Sequence, residues 1–360
     1  MDYSFRGTQC KKEEADTCCW GVTKAKNPLE RLYFKLPPMS PNELRIKVTN
    51  AGICHTDNSN IENLWGWGSC YPLVPGHEIA GIVDKIGTGV KKFKVGDKVL
   101  FGTTRDCCSQ CNYCLSGMDQ FCKNVQFRYT YDPYLGGFST IMQVKESHVY
   151  TMNPIFDMKR IAPIMCAGVT TYTPLLRHGF SGCKCGILGI GGLGHMGVMF
   201  ASKMGMKTYA ISTTKDKEEM AKKLGANEFV CSSDPVQMEK FKKEELDLIL
   251  CTALVTDLTD YMTALKLGTG ILVQVAAPDP NTPVKFNNLD LVVGQKTLTG
   301  SSVGSREDYN KMLEFAAFHN VQPITENLKW ADFPKGVEKV GKGKPIFRCV
   351  VDTADSFDNL

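Results

Sequence analysis

Four cysteines in one short segment have the spacing of a metal-binding loop. Cys108, Cys111 and Cys114 are separated by two residues each, and Cys122 follows after seven more. Four thiolates match the closed tetrahedral shell that zinc takes in structural sites, with bonds of about 2.3 Å. Cys107 directly precedes the set and competes with it, but only Cys108 gives the even spacing. Unbonded thiols or local disulfides are the alternative; the spacing favours a zinc ion that clamps the loop and does no chemistry.

A second set of metal-binding residues is dispersed along the chain. Cys54 lies in GICHTD, His77 and Glu78 lie in PLVPGHEIAG, and Cys166 lies in APIMCAG. Taken one at a time, these residues are better explained as core thiols and a loop histidine. Together, two thiolates and one imidazole leave zinc an open position for water or a substrate oxygen. A zinc ion of this kind is a Lewis acid that polarises a carbonyl or acidifies an alcohol, so the set predicts a catalytic metal centre.

A glycine motif predicts a nucleotide site. Gly189, Gly191 and Gly194 form GxGxxG, with Gly192 and Leu193 inside the motif. The apolar segment CGIL precedes the motif and the helical segment HMGVMFASKMG follows it, which is the context of a dinucleotide-binding turn. Glycines let the backbone approach a pyrophosphate at the helix N-terminus.

The residues about twenty positions further on indicate which dinucleotide binds. An NAD enzyme places an acidic residue there, whereas here the segment TYAI leads into Ser212, Thr213 and Thr214, with Lys217 close behind. Hydroxyl and ammonium groups suit a 2′-phosphate, so NADP(H) is predicted. Asp216, which lies between two lysines, argues against this assignment. The alternative is that the serine and the two threonines only form a turn.

The elements that must position these residues fall into two patterns. From Trp20 to Tyr150, short alternating apolar segments separated by Gly, Asn, Asp and Pro predict an antiparallel β-domain. After Ala162, apolar strands alternate with helices, which predicts a doubly wound parallel sheet. Beyond Val303 come one amphipathic helix and a closing strand, IFRCVVD, that could return to the first domain. The fold class is therefore α/β plus β, with predicted segments 1–16 (polar extension), 17–166 (catalytic domain with the cysteine loop), 167–304 (nucleotide domain) and 305–360 (C-terminal return).

Composition excludes several classes of partner. The chain has 360 residues, 43% hydrophobic and 22% charged, which predicts a folded soluble protein of about two domains. The net charge is +4, and basic and acidic residues are interspersed, so the sequence shows no basic patch for nucleic acid. No apolar run approaches the roughly 18 residues of a membrane span. The N-terminal residues mix acids and lysines, unlike a secretory signal. Sixteen cysteines in such a chain favour metal ligands and free thiols, so a cytoplasmic protein is expected.

The motifs occur in the order found in zinc-dependent medium-chain dehydrogenases, and from about Trp20 to Asp352 the chain resembles the cinnamyl alcohol dehydrogenase group. Matching segments include GICHTD, VPGHEIAG, KFKVGDKV, CAGVTTYTPL, GIGGLGHMG, TGSSVGS and FRCVVD. The resemblance implies a GroES-like catalytic domain interrupted by a Rossmann domain, and a homodimer that uses NADP(H) on aldehydes and alcohols. Two cysteines and one histidine are the ligand set known from alcohol dehydrogenases.

The resemblance also implies roles for individual residues. It places a catalytic zinc on Cys54, His77 and Cys166, with Glu78 able to enter the shell, and a structural zinc on the four-cysteine loop. Thr56 matches the residue whose hydroxyl is the first group of a proton relay. The same residue contacts the cofactor in the family. Ser59 stands where the family commonly has a histidine that carries the alcohol proton outward. Cofactor contacts are further implied in TGSSVGS, at Ser301 and Val303.

The leading hypothesis is carbonyl reduction by NADPH at the open zinc, with protonation through Thr56 and then Ser59 or a water. The substrate is an aldehyde or alcohol, with aromatic and terpenoid compounds as candidates. Phe127, with Arg128 beside it, stands where the family often has a substrate-facing tryptophan. Trp65 and Trp67 lie in a loop longer than the family's and either line an aromatic pocket or anchor an exposed loop. One alternative is zinc-independent reduction of a polarised C=C or C=N bond. Another is a dehydrogenase fold that serves as a binding or structural subunit. His148 and His195 are predicted to be packing or surface histidines.

Overall fold

The computed structural model of the chain describes residues 7–66, 71–127, 136–277 and 281–353. It divides into two compact units, one formed by Met1–Cys166 with Ser305–Leu360 and the other by Ala167–Gly304. Trp67 and Arg128 lie outside the described residues, as does the side chain of Phe127. None of the described helices is long and apolar enough to cross a membrane.

The strands of the described residues, in chain order, are β1 (Thr8–Gln9), β2 (Thr17–Gly21), β3 (Glu30–Lys35), β4 (Glu43–Ile53), β5 (Ile79–Ile86), β6 (Lys98–Phe101), β7 (Thr104–Asp106), β8 (Gln126–Phe127), β9 (Ile141–Lys145), β10 (Val149–Thr151), β11 (Lys184–Leu188), β12 (Lys207–Ser212), β13 (Glu228–Cys231), β14 (Leu248–Cys251), β15 (Ile271–Gln274), β16 (Thr297–Gly300), β17 (Thr325–Lys329) and β18 (Arg348–Asp352).

The α-helices of the same residues are α1 (His55–Ile61), α2 (Asn112–Leu115), α3 (Met158–Ile161), α4 (Ala167–His178), α5 (Gly194–Lys203), α6 (Glu218–Lys223), α7 (Pro235–Phe241), α8 (Thr259–Thr263), α9 (Asn288–Val292), α10 (Arg306–His319) and α11 (Phe333–Gly341). Short 3₁₀ turns, among them Asp119–Phe121, Glu146–His148 and Ala162–Met165, connect them.

The first unit is built on a sheet with the order β10-β6-β5-β4-β18-β17, to which β9 adds by pairing with β4. β4 is central because its sequence alternates, and Leu44, Ile46 and Val48 are fully buried. β18 pairs antiparallel with β4, with Cys349 opposite Ile53, so the C-terminal segment belongs to this sheet. The pairing of β17 with β18 is parallel. The sequence did not predict β17, because TENLK contains a single apolar residue and no alternation.

Helix α11 anchors the helix that follows Cys54. Phe333 is fully buried, and its ring centroid lies 4.1 Å from that of Phe138. Burying a side chain of this size stabilises the fold by about 1.5–3 kcal/mol. From α11, the carbonyl of Val337 accepts a hydrogen bond of 2.9 Å from Asn58 Nδ2 on α1. The position of α1 is therefore fixed by the core of the first unit.

The second unit has the parallel sheet β13-β12-β11-β14-β15-β16, in which all five pairings are parallel. This confirms the doubly wound fold class. The chain moves outward from β11 to β13, then returns to the other side at β14. The order therefore reverses between β11 and β14, and such a switch point is where open α/β sheets bind ligands.

Candidate active site and metal centres

The four dispersed ligand candidates lie together in the first unit. Cys54 follows β4 and precedes α1, His77 and Glu78 directly precede β5, and Cys166 follows the 3₁₀ turn that ends at Met165. Each offers one ligand atom, and all four atoms lie within 4.8 Å of one another. Each of the four side chains is buried. The structure thus brings together thiol, imidazole and carboxylate groups that are up to 112 positions apart in the chain.

Asp57, which was not predicted as a site residue from the sequence, holds two parts of this cluster in place. Its Oδ2 accepts a hydrogen bond of 2.8 Å from the Cys54 amide, which begins α1. Its Oδ1 accepts one of 3.0 Å from the Gly76 amide and lies 3.2 Å from His77 Nδ1. A carboxylate on one ring nitrogen fixes the histidine and directs the other nitrogen to a metal. The signal was an acidic residue three positions after the N-cap residue, Cys54.

Arg348 is the second residue of the site that was not predicted from the sequence. Its Nη1 lies 3.2 Å from Glu78 Oε1, and both side chains are buried. The strand FRCVVD carries Arg348 into the cluster. The available signal in the sequence was a lone arginine among apolar residues. Gly52 completes the surroundings, since a Cβ atom there would lie 2.1 Å from Glu78 Oε2. The Glu78 carboxylate is therefore held between an arginine and a closely packed backbone.

The pKa values of the cluster are shifted strongly because its groups are buried against one another. A hydrogen bond with Cys166 lowers the pKa of Cys54 well below its ordinary value, and the same contact raises the pKa of Cys166. Burial raises the pKa of Glu78 to about 7, against the opposing effect of Arg348. Burial lowers the pKa of His77, but Asp57 and Cys54 outweigh it and raise that pKa to about 10.

A zinc ion fits this donor set. A buried thiolate, a second thiol, an imidazole held by a carboxylate and a nearby Glu78 are the donors that zinc prefers. Two thiolates and an imidazole would complete three of four positions, and a dication would replace the protons on the cluster. The donor chemistry therefore supports the predicted ligands Cys54, His77 and Cys166, with Glu78 adjacent.

The cysteine loop forms a second, more accessible cluster. The Sγ atom of Cys108 lies 3.9 Å from that of Cys114 and 3.4 Å from that of Cys122. The Sγ atoms of Cys111 and Cys114 are 3.6 Å apart. Sulfurs bound at about 2.3 Å to a tetrahedral zinc are roughly 3.8 Å apart, so the four thiols fit one ion. Backbone hydrogen bonds from Gln110 and Cys111 lower the pKa of Cys108 to about 6, which favours the thiolate that binds metal.

Thr56 and Ser59 both lie on α1 but in different surroundings. Thr56 is half-buried and is the second residue of the helix. Ser59 is buried, and its Oγ donates a hydrogen bond of 3.2 Å to the His55 carbonyl one turn earlier. The Ser59 hydroxyl is thus used within the helix backbone, whereas His55 itself is exposed.

The glycine motif lies at the carboxyl end of β11, where α5 begins at Gly194. A Cβ atom on Gly194 would lie 1.8 Å from the Gly189 carbonyl oxygen, so no side chain fits there. At Gly191 a Cβ atom would meet nothing within 4 Å. A close turn that leaves open space beside the helix N-terminus is the arrangement that a dinucleotide pyrophosphate requires.

The residues predicted to bind the ribose 2′-phosphate lie at the end of β12 and just after it, next to β11. Ser212 ends β12 and is buried, whereas Thr213 and Thr214 are exposed. Lys217 Nζ donates a hydrogen bond of 3.1 Å to the Ile190 carbonyl, within the glycine motif. Lys215 instead forms an ion pair with Asp234, with 3.2 Å between Nζ and Oδ2. Of the two lysines, Lys217 is therefore the one beside the glycine motif.

Ser301 and Val303 follow β16 on the same edge of the parallel sheet. The Ser301 amide donates a hydrogen bond of 3.1 Å to the Gln274 carbonyl at the end of β15. Val303 has φ +45°, a rare conformation for a β-branched residue. The predicted nucleotide residues of the second unit thus follow the carboxyl ends of β11, β12 and β16.

Comparison with known proteins agrees with both units. Residues 40–154 match the family model of the alcohol dehydrogenase GroES-like domain, and residues 192–317 match that of the zinc-binding dehydrogenases. The 8-hydroxygeraniol dehydrogenase of Catharanthus roseus is 36% identical over 346 residues, which cover 94% of this chain and 95% of that protein.

Two solved structures share the fold over nearly the whole chain. A cinnamyl alcohol dehydrogenase from Sorghum bicolor has a TM-score of 0.88 at 33% identity, covering 94% of this chain and 98% of that one. CAD from Helicobacter pylori, complexed with NADP(H), has a TM-score of 0.87 at 31% identity, covering 96% of this chain and 99% of that one.

The fold and the two thiol clusters define a zinc-binding dehydrogenase class. The chain belongs to the zinc-dependent medium-chain dehydrogenases, in the cinnamyl alcohol dehydrogenase-like group. It is therefore an oxidoreductase of the alcohol dehydrogenase type.

Proposed function

We propose that this protein is an NADP(H)-dependent zinc alcohol dehydrogenase that interconverts an aldehyde and its alcohol. The observation that carries the proposal is the buried cluster of Cys54, His77, Glu78 and Cys166, whose ligand atoms lie within 4.8 Å of one another. When bound, zinc supplies a Lewis acid for the carbonyl oxygen and NADPH supplies the hydride.

The contacts around these side chains in the first unit support the proposed ligand set. Asp57 fixes the His77 ring and the start of α1 through the contacts of 2.8 to 3.2 Å described above. Arg348 balances the charge of Glu78, so that this carboxylate can remain buried beside the thiolates. Preorganised donors of this kind need little rearrangement during the reaction.

Thr56 is the proposed proton donor. It lies two residues from Cys54 at the start of α1 and is half-buried. A threonine hydroxyl can donate one proton and accept another. During reduction, Thr56 Oγ1 gives its proton to the substrate oxygen, and during alcohol oxidation it receives one.

Beyond Thr56, we infer that the proton leaves through water. The Ser59 hydroxyl supports this because it is buried and donates to the His55 carbonyl. A serine held in this way is a poor substitute for a mobile histidine, whereas a water beside half-buried Thr56 can exchange with solvent.

In the second unit, we propose that the turn Gly189–Gly194 holds the pyrophosphate and that Ser212, Thr213, Thr214 and Lys217 hold the 2′-phosphate. Lys217 supports the preference for NADP(H), since it lies beside the glycine motif. The turn that carries Ser301 and Val303 supplies further cofactor contacts.

The substrate class, assembly and location are also proposals. The relative from Catharanthus roseus supports a terpenoid aldehyde or alcohol, and the structure from Sorghum bicolor supports an aromatic one. A homodimer is supported by exposed apolar residues on and after α9 next to the sheet edge at β16, with Val292 75% and Val293 73% exposed. The described cysteines are all free thiols, which supports a reducing compartment such as the cytoplasm.

The decisive variant is Cys166→Ala. Loss of one of three predicted ligands should remove the catalytic zinc and lower aldehyde reduction by at least about 10³-fold, because zinc activation and positioning are lost together. NADPH oxidation is measured over aliphatic, terpenoid and aromatic aldehydes, with metal analysis on the same samples.

Cys183→Ala is the matched control, since Cys183 is a buried free thiol outside the clusters. Full reduction by Cys166→Ala would contradict the proposal, whereas NADPH oxidation by that variant only with compounds that carry a polarised C=C or C=N bond would favour the zinc-independent reductase. Wild-type protein that binds zinc but neither NADPH nor any aldehyde would favour a structural subunit.

A further inference from the structure

A third cluster of possible metal ligands is buried in the first unit, away from the residues used so far. It consists of Cys107 after β7, Asp119 at the start of a 3₁₀ turn, and His148 just before β10. One ligand atom from each lies within 4.8 Å of the others. The side chains are nearly inaccessible, since the three residues are 7%, 4% and 0% exposed.

His148 points an uncompensated nitrogen into this cluster. Its Nδ1 lies 2.9 Å from Ser147 Oγ, whereas Nε2 is buried and has no hydrogen-bond partner among the described residues. Nε2 lies 4.0 Å from Asp119 Oδ2, which is too far for a hydrogen bond. Burial lowers the pKa of His148 to about 3, with help from Arg306, Lys145 and Lys92, so the ring is neutral. A neutral imidazole whose other nitrogen is held by a hydroxyl is the form that binds metals.

The other two groups have weak or displaceable partners. Cys107 Sγ lies 3.6 Å from Ser109 Oγ and also interacts with the Cys114 thiol at the edge of the cysteine loop. Asp119 receives a hydrogen bond of 3.3 Å from the Arg306 amide and lies 3.5 Å from Arg306 Nε. These distances are at the long end for hydrogen bonds and ion pairs.

We propose that Cys107, Asp119 and His148 form a third metal site, for a zinc ion or another divalent ion that accepts sulfur and nitrogen ligands. Binding forms a bond to Cys107 Sγ and releases its thiol proton to solvent, while Asp119 and His148 bind without losing a proton. A tetrahedral zinc needs ligand atoms roughly 3.3–3.8 Å apart, so the gap of 4.0 Å between Nε2 and Oδ2 must close by about half an ångström.

The charges around the site permit such an ion. Arg306, Lys145 and Lys92 are the cations that act on His148, and they would repel an isolated dication. A thiolate and a carboxylate reduce the charge of a bound dication to zero, so the three cations face a neutral complex. Water is the fourth ligand. The ion would join the cysteine loop, through Cys107 and Asp119, to the end of the sheet at His148.

The test is a metal count on the full chain. Wild type and the variants Cys107→Ser and His148→Gln are saturated with zinc, freed of loosely held metal by gel filtration, and analysed by mass spectrometry. We expect three zinc ions per chain in the wild type and two in each variant. Cobalt replacement should show a weaker thiolate charge-transfer band in Cys107→Ser, because one of its thiolate ligands is missing.

Cys183→Ser is the control and should keep three ions, since Cys183 is a buried thiol outside the clusters. Far-UV circular dichroism identifies any variant that does not fold, and the remaining variant then decides the result. Aldehyde reduction should persist in both variants. Two ions in the wild type, or three in a folded His148→Gln or Cys107→Ser, would overturn the proposal.

Discussion

At the scale of single residues, the chemistry of the site was predictable and its support was not. Cys54, His77 and Cys166 were predicted as a set because two thiolates and one imidazole form an open zinc site and because they lie in the motifs that resemble the family. Asp57 and Arg348 act by holding other side chains, and this role depends on contacts through space that residue type does not reveal. Arg348 meets Glu78 only because β18 lies beside β4.

The relay residues give a prediction at this scale. Thr56→Val should lower kcat for aldehyde reduction by about 10²–10⁴-fold, the usual contribution of a positioned acid or base. Ser59→Ala should keep kcat within about 3-fold of wild type, because its hydroxyl is used by the His55 carbonyl and water carries the proton instead. Steady-state kinetics with saturating NADPH and aldehyde measures both.

Zinc content serves as the control for these two variants and should stay at the wild-type value. A loss of activity in Ser59→Ala as large as that in Thr56→Val would show that the serine belongs to the relay.

At the scale of elements, periodicity predicted most strands and helices that position the sites. β4 alternates apolar and polar residues, and the central strands β11, β12, β14 and β15 of the second unit are short, mostly apolar runs. The weakly patterned strand β17 was missed because its sequence carries no period. The helix α1 was also not foreseen, since HTDNSNI is polar and begins at a cap formed by Cys54 and Asp57.

The turn after β12 gives a prediction for cofactor choice. Lys217→Ala should raise the Kd for NADPH about 10–100-fold, because a charge-assisted contact with a phosphate contributes about 1.5–3 kcal/mol. The Kd for NADH should change little, since NADH lacks the 2′-phosphate. Fluorescence titration of each cofactor measures the two constants.

Lys215→Ala is a matched control on the same turn. Its ammonium group is engaged by Asp234 at 3.2 Å, so its loss should change NADPH binding less than the loss of Lys217. Equal effects of the two substitutions would contradict the assignment of Lys217 to the phosphate.

At the scale of the whole molecule, the sequence patterns predicted the fold class and the family, whereas the homodimer is implied only by the resemblance to that family. Motif order and alternating patterns are properties of one chain, whereas an interface between copies depends on which apolar residues remain exposed after folding. Val292 and Val293 are such residues, and the sequence alone does not distinguish them from core valines.

This exposed segment allows a prediction about assembly. Val292→Lys should convert the proposed homodimer to a monomer, because a charge would be buried without a partner at the interface. Light scattering coupled to size-exclusion chromatography measures the mass. Val236→Lys, at a valine 78% exposed on α7, should leave the mass unchanged. A wild-type protein that is already monomeric would contradict the proposed homodimer.

The pairing of β18 with β4 also sets an order of events during synthesis on the ribosome. Residues 167–304 form the second unit as one continuous stretch and can fold as soon as they emerge. The first unit must wait for Arg348 and the rest of β18, which are made almost 300 residues after the strand that they join. Until then the Glu78 carboxylate has no arginine beside it, so we expect the catalytic metal to be loaded after translation ends, when the second unit is already folded.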